Sequence, residues 1–532
     1  MTSSGPTATK SDYLVVGAGV NGTSIATSLV HLGFSVTLLD RSQDGYVAPD
    51  GASNDLNKII RADYTDANYC TLAKEAISLW RTHPVLSKFY HEVGVLFRSS
   101  DKGEVWGERG GNSAQEYVRK GVEHAHLKKD AHLEVGASLP RRAYVLERDA
   151  QVAELLSAND AVALGEGLRG MGSTQTGYFN PRGGWAEANN ACRALLQHAV
   201  RQGVQLHPRS TVTAFITDNN NAIVGVKTHD GRSFYADHIV LAAGAWTSDL
   251  LTTLVPPRTA VHKAGWMTRP SAQCVAILRL TAAQAAALRH TPVMINFASG
   301  FYQFEPTFNS ECNEWHMKIA YHSNGYVYPK PAVHCNGRYP AFEASALEAE
   351  RTPSRQIGAE GDEGDDVGYD MAARSIPAAH LDAMLAELGQ VYPQLARREN
   401  VVETRVCWYS DTLDENWILD SLDHHPYFSS QTTSGTSSGA PAFGSNVWVV
   451  SGDSGHAYKF LPMIGSLFTT IARLQPNTRQ LDLTKFTFAH QQKLHAQKAD
   501  GAKIESADSN RFSGDGAQKE TAKVERNARA RL

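Results

Sequence analysis

The stretch Tyr13-Leu-Val-Val-Gly17-Ala18-Gly19-Val-Asn21-Gly22 places three glycines at a spacing suited to one chemistry, the approach of backbone N–H groups to a phosphate. Gly17 permits a tight turn, Gly19 lets the chain come close to a pyrophosphate at a helix N-terminus, and Gly22 lets that helix pack on the preceding strand. Asp40, at the end of Ser35-Val-Thr-Leu-Leu-Asp40, is placed to accept from a ribose hydroxyl, which favours a free ribose over a 2′-phosphate. These residues point to an adenine dinucleotide and leave open whether it is FAD or NAD. Further along, Lys58, Arg61, Lys318 and Lys459 stand in segments flanked by apolar residues or glycine. The ordinary place for such a charge is a solvated surface, and these flanks weigh against that reading.

The elements that must position these groups are legible in part. An apolar strand precedes the glycines, a helix starts at about Asn21 and runs to Gly33, and a second strand ends at Asp40. A helix is expected over Trp185 to Gln202, with short strands at Val204 to Leu206 and Ala222 to Thr228. Ala236 to Trp246 reads as an apolar strand ending Ala-Ala243-Gly244, small residues where backbone passes close to a cofactor. Thr-, Ala- and aromatic-rich sequence to about Gln394 suits a substrate domain. The expected fold class is α/β, a Rossmann-like dinucleotide domain interleaved with an α+β substrate domain on a mixed sheet. Residues 10–64, 185–250 and 400–475 are assigned to the first, 65–184 and 251–399 to the second. Pro329 to Asp370 and Ser429 to Ser445 read as surface excursions, and 499–532 as a flexible tail.

Composition narrows the partners. With 532 residues and 42% apolar content there is material for two or three domains and a large core. A formal charge of −4 offers no basic excess for nucleic acid, and the apolar runs fall far short of the ~18 residues of a membrane span. The first twelve residues are polar, so no secretory leader is expected. Six cysteines, Cys70, Cys192, Cys274, Cys312, Cys335 and Cys407, show neither CxxC nor metal spacing, which suits free thiols in a reducing compartment and no metal. The final Ala530-Arg531-Leu532 fits the small-basic-Leu pattern of a peroxisomal address, so an import receptor is an expected partner and the cytoplasm the alternative location.

Four later segments accompany the fingerprint: Gly51-Ala-Ser53-Asn54-Asp-Leu-Asn-Lys58-Ile-Ile-Arg61-Ala-Asp-Tyr64; Trp315-His-Met-Lys318-Ile-Ala-Tyr-His322; Val406-Cys407-Trp-Tyr409-Ser-Asp-Thr-Leu-Asp414-Glu-Asn-Trp-Ile-Leu-Asp420; and Gly452-Asp453-Ser-Gly455-His456-Ala-Tyr-Lys459-Phe-Leu-Pro. In this order, over most of residues 10 to 490, the chain resembles the monomeric sarcosine oxidase, saccharopine or pipecolate oxidase and fructosyl amino acid oxidase group of flavoproteins. The resemblance implies a cofactor domain of the GR2 type, a monomer, and FAD bound covalently through its 8α-methyl group to Cys407. It implies further contacts to FAD from Gly17, Ala18, Gly19, Asn21, Gly22, Asp40 and Arg41, from Ser53, Asn54 and Lys58, from Val212, Ala243, Gly244 and Trp246, and from Asp453, Gly455, His456 and Lys459. A helix beginning near Gly455 would aim its N-terminal dipole at the N1–C2=O edge of the ring.

The same resemblance implies that Arg61 and Lys459 clamp a substrate carboxylate beside Tyr409, and that Lys318 lies over the flavin and promotes reaction with dioxygen. The reaction is then oxidation of a secondary-amine amino acid to an imine with hydrogen peroxide as co-product; His322 or Tyr302 is placed to accept a proton. His322 stands where fructosyl amino acid oxidases keep an acid, as sarcosine oxidases also have histidine there. The chain thereby resembles the amadoriase-like oxidases of fungal secondary metabolism, which take N-methyl or N-substituted amino acid derivatives. Fructosyl amino acid, saccharopine or pipecolate oxidation is the alternative within the group, and an NAD(P)-dependent dehydrogenase or a flavoprotein scaffold without catalysis the alternatives outside it.

Overall fold

The computed structural model describes residues 10–64, 66–100, 144–146, 175–180, 182–220, 222–252, 267–296, 299–310, 312–322, 325, 376–426, 428, 446–479 and 481–499. The expected excursions at 329–370 and 429–445 and the tail from 500 lie outside the described residues. No described helix is long and apolar enough to cross a membrane.

The amino-terminal unit forms as its pattern requires. Strand β1 (Ser11–Val16) and strand β2 (Val36–Leu39) pair in parallel, Val15 opposite Leu38, with helix α1 (Val20–His31) between them. Parallel strands buried on both faces need unbroken apolar runs, and Leu14, Val15, Leu38 and Leu39 are fully buried. Strand β3 (Asn57–Ile60) then leads to helix α2 (Ala67–Thr82), whose first turn is capped by the Asp66 carboxylate accepting from the amides of Asn68 and Tyr69. Helix α3 (Ala188–Arg201) follows, and strand β4 (Ser233–Leu241) returns to pair with β1, Val240 opposite Val15. Strands β1, β2 and β4, with 205–207, 212–217, 223–228, 418–421 and 447–451, make an eight-stranded sheet.

A second sheet of nine strands carries the other half of the site. At one end of it, strand β5 (Arg269–Leu280) is flanked antiparallel by strand β7 (Glu314–Tyr321) and by the end strand β8 (Val401–Asp411); strand β6 (Phe301–Gln303) adds to β7. One face, with Cys274, Ala276, Leu278, Met317 and Ile319, packs against helix α4 (Ala378–Val391) through Leu381, Met384, Leu385 and Leu388. Each such buried side chain contributes roughly 1.5–3 kcal/mol. The opposite face carries Val275, Ile277, Tyr302, Ala320, Cys407 and Tyr409. Alternation along a strand sends neighbours to opposite faces, so one side of this sheet is core and the other lines the site.

Four expectations need correction. The segment expected to be helical from Trp185 begins as strand Gly184–Glu187, which pairs with β3, and the helix starts only at Ala188. Trp185 is held flat in that small sheet against His91, and this long-range packing overrides local helix preference. Residues 401–411, assigned to the cofactor domain, are instead the end strand of the second sheet, paired antiparallel along 269–278. Residues 67–82, assigned to the substrate domain, pack through Tyr69, Leu72, Ala76 and Trp80 into the core around α1. No helix begins at Gly455: a single 3-10 turn spans Tyr458–Phe460 and the helix spans Ile464–Ile471, because Gly452, Ser454 and Gly455 all take positive φ.

Candidate active site

The glycine turn is built around contacts that leave no room for side chains. Gly17 has φ +107, and a Cβ there would lie 2.4 Å from the Ala242 carbonyl oxygen; at Gly22 it would lie 1.8 Å from the Gly17 oxygen. Gly19 is the N-cap of α1 and makes no side-chain cap bond, so the helix presents backbone N–H groups at this end. The Val20 amide donates to Ser53 Oγ at 2.9 Å, and Asn21 Nδ2 donates to Asp453 Oδ1 at 2.8 Å, joining the first motif to the last. Asp40 braces the turn: its Oδ2 accepts from the Ala18 amide at 2.7 Å and its Oδ1 from the Ser42 amide at 2.8 Å. Burial raises its pKa against these bonds.

Around this turn, Arg41 pairs with Asp50 at 2.6 Å and lies 4.0 Å over the Trp246 ring. Ala243 and Gly244 follow the end of β4, where Gly244 takes φ +55. The Ser210 amide donates to the Asp40 carbonyl at 2.8 Å, which brings Val212, two residues on, to the same end of the sheet. Asn54 spends its side chain on the fold, donating to the Pro49 carbonyl and accepting from Asn189 Nδ2.

On the free face of the second sheet a buried charge cluster forms. Arg405, Cys407 and Tyr409 alternate along β8; Val275 of β5 pairs with both Arg405 and Ala320, and Ala320 pairs with Tyr302, so Lys318, two residues from Ala320, shares their face. Asp55, beside β3, reaches all three cations: its Oδ2 lies 2.5 Å from Lys318 Nζ and 2.6 Å from Lys58 Nζ, its Oδ1 3.3 Å from the Arg405 guanidinium. Lys58 Nζ also donates to Cys407 Sγ at 3.5 Å. Burial would raise the Asp55 pKa, but Lys318, Lys58 and Arg405 together hold the carboxyl well below the usual carboxylate range. Burial pushes Lys318 down to about 7, against the pull of Asp55 and with the push of Lys58. Lys58 loses most to burial, but Asp55, Cys407 and Tyr302 together outweigh that loss and hold it above the ordinary lysine value. One carboxylate against three cations leaves this cluster two positive charges in excess, an environment for an anion.

A cleft joins this cluster to a second cationic group, with Lys58, Arg61, Tyr302, Lys318, His322, Tyr409, His456 and Lys459 all on its walls. Arg61 and Lys459 flank one ring, lying 4.9 Å and 5.0 Å from the centroid of Tyr64. Arg61 Nη1 donates to the Asp63 carbonyl, and Lys459 Nζ donates to Tyr64 Oη at 2.6 Å and to the His456 carbonyl at 2.8 Å. The Glu415 carbonyl, 2.8 Å from His456 Nε2, can only accept, so Nε2 donates to it, and His456 Nδ1 lies 3.2 Å from Tyr64 Oη. Gly455 supports the Tyr409 ring so closely that a Cβ would meet Tyr409 Cε2 at 2.2 Å. The His322 ring lies 5.8 Å from that of Tyr409. Burial raises the Tyr302 pKa well above its ordinary value, so its hydroxyl stays protonated.

The structure therefore brings together the residues singled out in the sequence as two groups: Gly17 to Gly22, Asp40, Ser53 and Asp453 at the glycine turn, and Lys58, Arg61, Tyr302, Lys318, His322, Cys407, Tyr409, His456 and Lys459 at the cleft. Asn54 and Arg41 serve mainly the protein's own contacts. Sequence reasoning passed over Asp55, Arg405 and Tyr64. An acid three residues before Lys58 was a visible signal; nothing local marked Arg405.

Comparison with known proteins agrees with this geometry. The family described as FAD dependent oxidoreductase matches residues 12–471. L-saccharopine oxidase of Schizosaccharomyces pombe is 27% identical over 85% of this chain and 87% of its own. Amino acid oxidase imqH of Aspergillus flavus is 26% identical over 85% and 90%. Among solved structures, the fructosamine oxidase Amadoriase II of Aspergillus fumigatus superposes with a TM-score of 0.64 at 23% identity, covering 88% of both chains.

Proposed function

Because the chain belongs to the FAD dependent oxidoreductase family, with FAD as its dinucleotide, we propose that it is an amine oxidase. It oxidises the C–N bond of a secondary-amine amino acid or derivative, N-methyl or otherwise N-substituted, to an imine, and the two electrons and two protons removed convert dioxygen to hydrogen peroxide. One observation carries this reading: the Arg61 and Lys459 pair faces the same cleft as Lys318 and as Lys58, whose Nζ donates to Cys407 Sγ. A carboxylate held at one end sets the neighbouring C–N bond toward the other.

The residues fit the cofactor. The N-terminus of α1 behind Gly19, the side-chain-free turn at Gly17 and Gly22, and the Asp40 carboxylate suit the dinucleotide, and the excess positive charge beside Cys407 suits an anionic ring. When bound, FAD supplies the hydride acceptor and the route for electrons to dioxygen. Cys407, buried and within reach of Lys58, is the residue proposed to carry the covalent bond, and the two assigned domains are proposed to meet at the cleft.

The protein's own part is positional. Arg61 offers a planar grip on the carboxylate and Lys459 a point charge, while the surrounding positive charge and burial favour the unprotonated amine. His322 and Tyr302 line the cleft; Tyr302, held protonated, serves as a donor, leaving His322 as the side chain placed to accept a proton. The relatives named above are by name oxidases of saccharopine, amino acids and fructosamine, and His322 favours N-alkyl over fructosyl substrates here.

A panel of N-alkyl, fructosyl, saccharopine and pipecolate substrates, read by peroxide formation without NAD(P), tests the reading. N-alkyl amino acids should turn over in preference; efficient turnover of fructosyl amino acids alone would overturn the pocket assignment. After acid precipitation flavin should stay with the polypeptide, and Cys407→Ser should release it to the supernatant.

A further inference from the structure

We propose that Asp55, anchored by Arg405, is a positioning residue that fixes the ammonium of Lys318 and aims its remaining N–H into the cleft. The inference rests on reading Lys318 as the cation that serves the dioxygen reaction.

Lys318 is fully buried, and an ammonium has three donors. One goes to Asp55 Oδ2 at 2.5 Å and a second to the Asn57 carbonyl at 2.8 Å. Among the described residues no third acceptor meets it, and the side chain lines the cleft. Two of three bonds thus set the direction of the last. Asp55 can do this because it is itself held. Arg405 donates from Nη1 to the Asn54 carbonyl and lies 3.3 Å from Asp55 Oδ1, and the Leu56 amide donates to the same oxygen at 2.9 Å. The carboxylate is wholly buried and is the acid that the buried cations Lys318 and Arg405 share with the partly exposed Lys58.

The alternative is that Asp55 merely neutralises the cluster. Geometry argues against this, because a single carboxylate leaves two charges uncompensated while binding Lys318 more closely than Arg405. The groups facing Lys318 are Asp55 and Lys58 from the β3 side, Arg405 and Cys407 from β8, and Tyr302 from β6. Burial and Lys58 oppose the charge on Lys318, and Asp55 is the largest influence that sustains it. Without the carboxylate the ammonium loses its proton at lower pH and its two-point hold at any pH.

The test uses protein labelled with 13C and 15N at lysine, with Lys318 assigned by the signal missing from Lys318→Met. In the wild type the 13Cε signal should titrate near 7, and in Asp55→Asn, which keeps size and shape, the midpoint should fall by about 1–3 pH units, as expected on removing an opposite charge. Stopped-flow reoxidation of the reduced holoenzyme should follow the same midpoints, while anaerobic reduction by substrate changes little. Asp55→Glu should recover most of the midpoint. An unmoved midpoint in Asp55→Asn overturns the proposal. A moved midpoint together with normal reoxidation in Lys318→Met upholds the hold of Asp55 on the ammonium and overturns the oxygen role of Lys318. Should Asp55→Asn not fold, the wild type decides alone: an Asp55-held ammonium gives a 15Nζ signal protected from solvent exchange at pH 6, and a freely exchanging one overturns the proposal.

Discussion

Single side chains at the cleft act through the charges they neutralise. Arg61 is buried, so its removal leaves a bound carboxylate with Lys459 alone. Arg61→Ala should weaken carboxylate analogues by roughly 2–5 kcal/mol in titrations read from the flavin spectrum, the cost of breaking a desolvated pair. Unchanged affinity would place the carboxylate elsewhere. Asp453 gives a prediction of opposite sign. Burial lifts its carboxyl to about 6, against the bond donated by Asn21 and with a push from Asp411. The folded chain therefore keeps this proton to about pH 6, whereas an unfolded carboxyl releases it near 4. Between these values the native state binds more protons, so stability should decline by about 2–3 kcal/mol as pH rises from 4 through 6. Asp453→Asn keeps an acceptor for Asn21 and should remove that decline; denaturation curves that stay parallel from pH 4 to 7 would rule the mechanism out.

Elements place these groups through backbone contacts too close for side chains. Gly455 combines φ +77 with a would-be Cβ 2.2 Å from the Tyr409 ring, whereas Gly33, at φ +89, has nothing within 4 Å. Gly455→Ala should cost about 2–4 kcal/mol and displace Tyr409 from the cleft, combining backbone strain with overpacking. Gly33→Ala should cost only the strain, about 1–2 kcal/mol, and leave the flavin spectrum unchanged. Equal effects in thermal melts would show that the ring contact carries no weight. The second sheet works by alternation: β8 buries Val406 and Trp408 away from the cleft and turns Arg405, Cys407 and Tyr409 toward it, so a one-residue slip would empty the site.

At the scale of the molecule, the end of the described chain locks onto the first sheet. Helix Phe488–Ala499 is tied back to residues 414–420: Asp414 accepts from Gln491 Nε2 at 2.6 Å and lies 2.6 Å from His490 Nε2, and Asp420 accepts from the Phe488 amide at 2.9 Å. Phe488 itself is fully buried with Leu422 and Phe428. Phe488→Ala should destabilise the protein by about 3–5 kcal/mol in urea titration, through lost burial and the cavity left behind. A cost below about 1 kcal/mol would mean that this helix is only an appendage. The helix thus braces the strand Ile418–Ser421, which pairs with Val447–Ser451 at the edge of the first sheet.

From the sequence alone the dinucleotide unit could be placed almost to the residue, because its information is local: apolar runs of strand length, glycines where φ must be positive or backbone must touch backbone, and an acid at the end of the second strand. The same holds for the motifs around Lys58, Lys318, Cys407 and Lys459, which are contiguous and carry the family resemblance. The burden of Asp55 was not legible, since its partners lie on β3, β7 and β8, and the Lys318 contact spans 263 positions of chain. Tyr64 likewise reads as one more aromatic until folding sets it between Arg61 and Lys459. Strand 401–411 could not be assigned to its sheet, nor the start of α3 separated from the strand before it, because an apolar run does not name the neighbours that will hydrogen-bond it. Only the tertiary structure decides which face of the second sheet meets the glycine turn, and there the buried charges acquire their partners and their values.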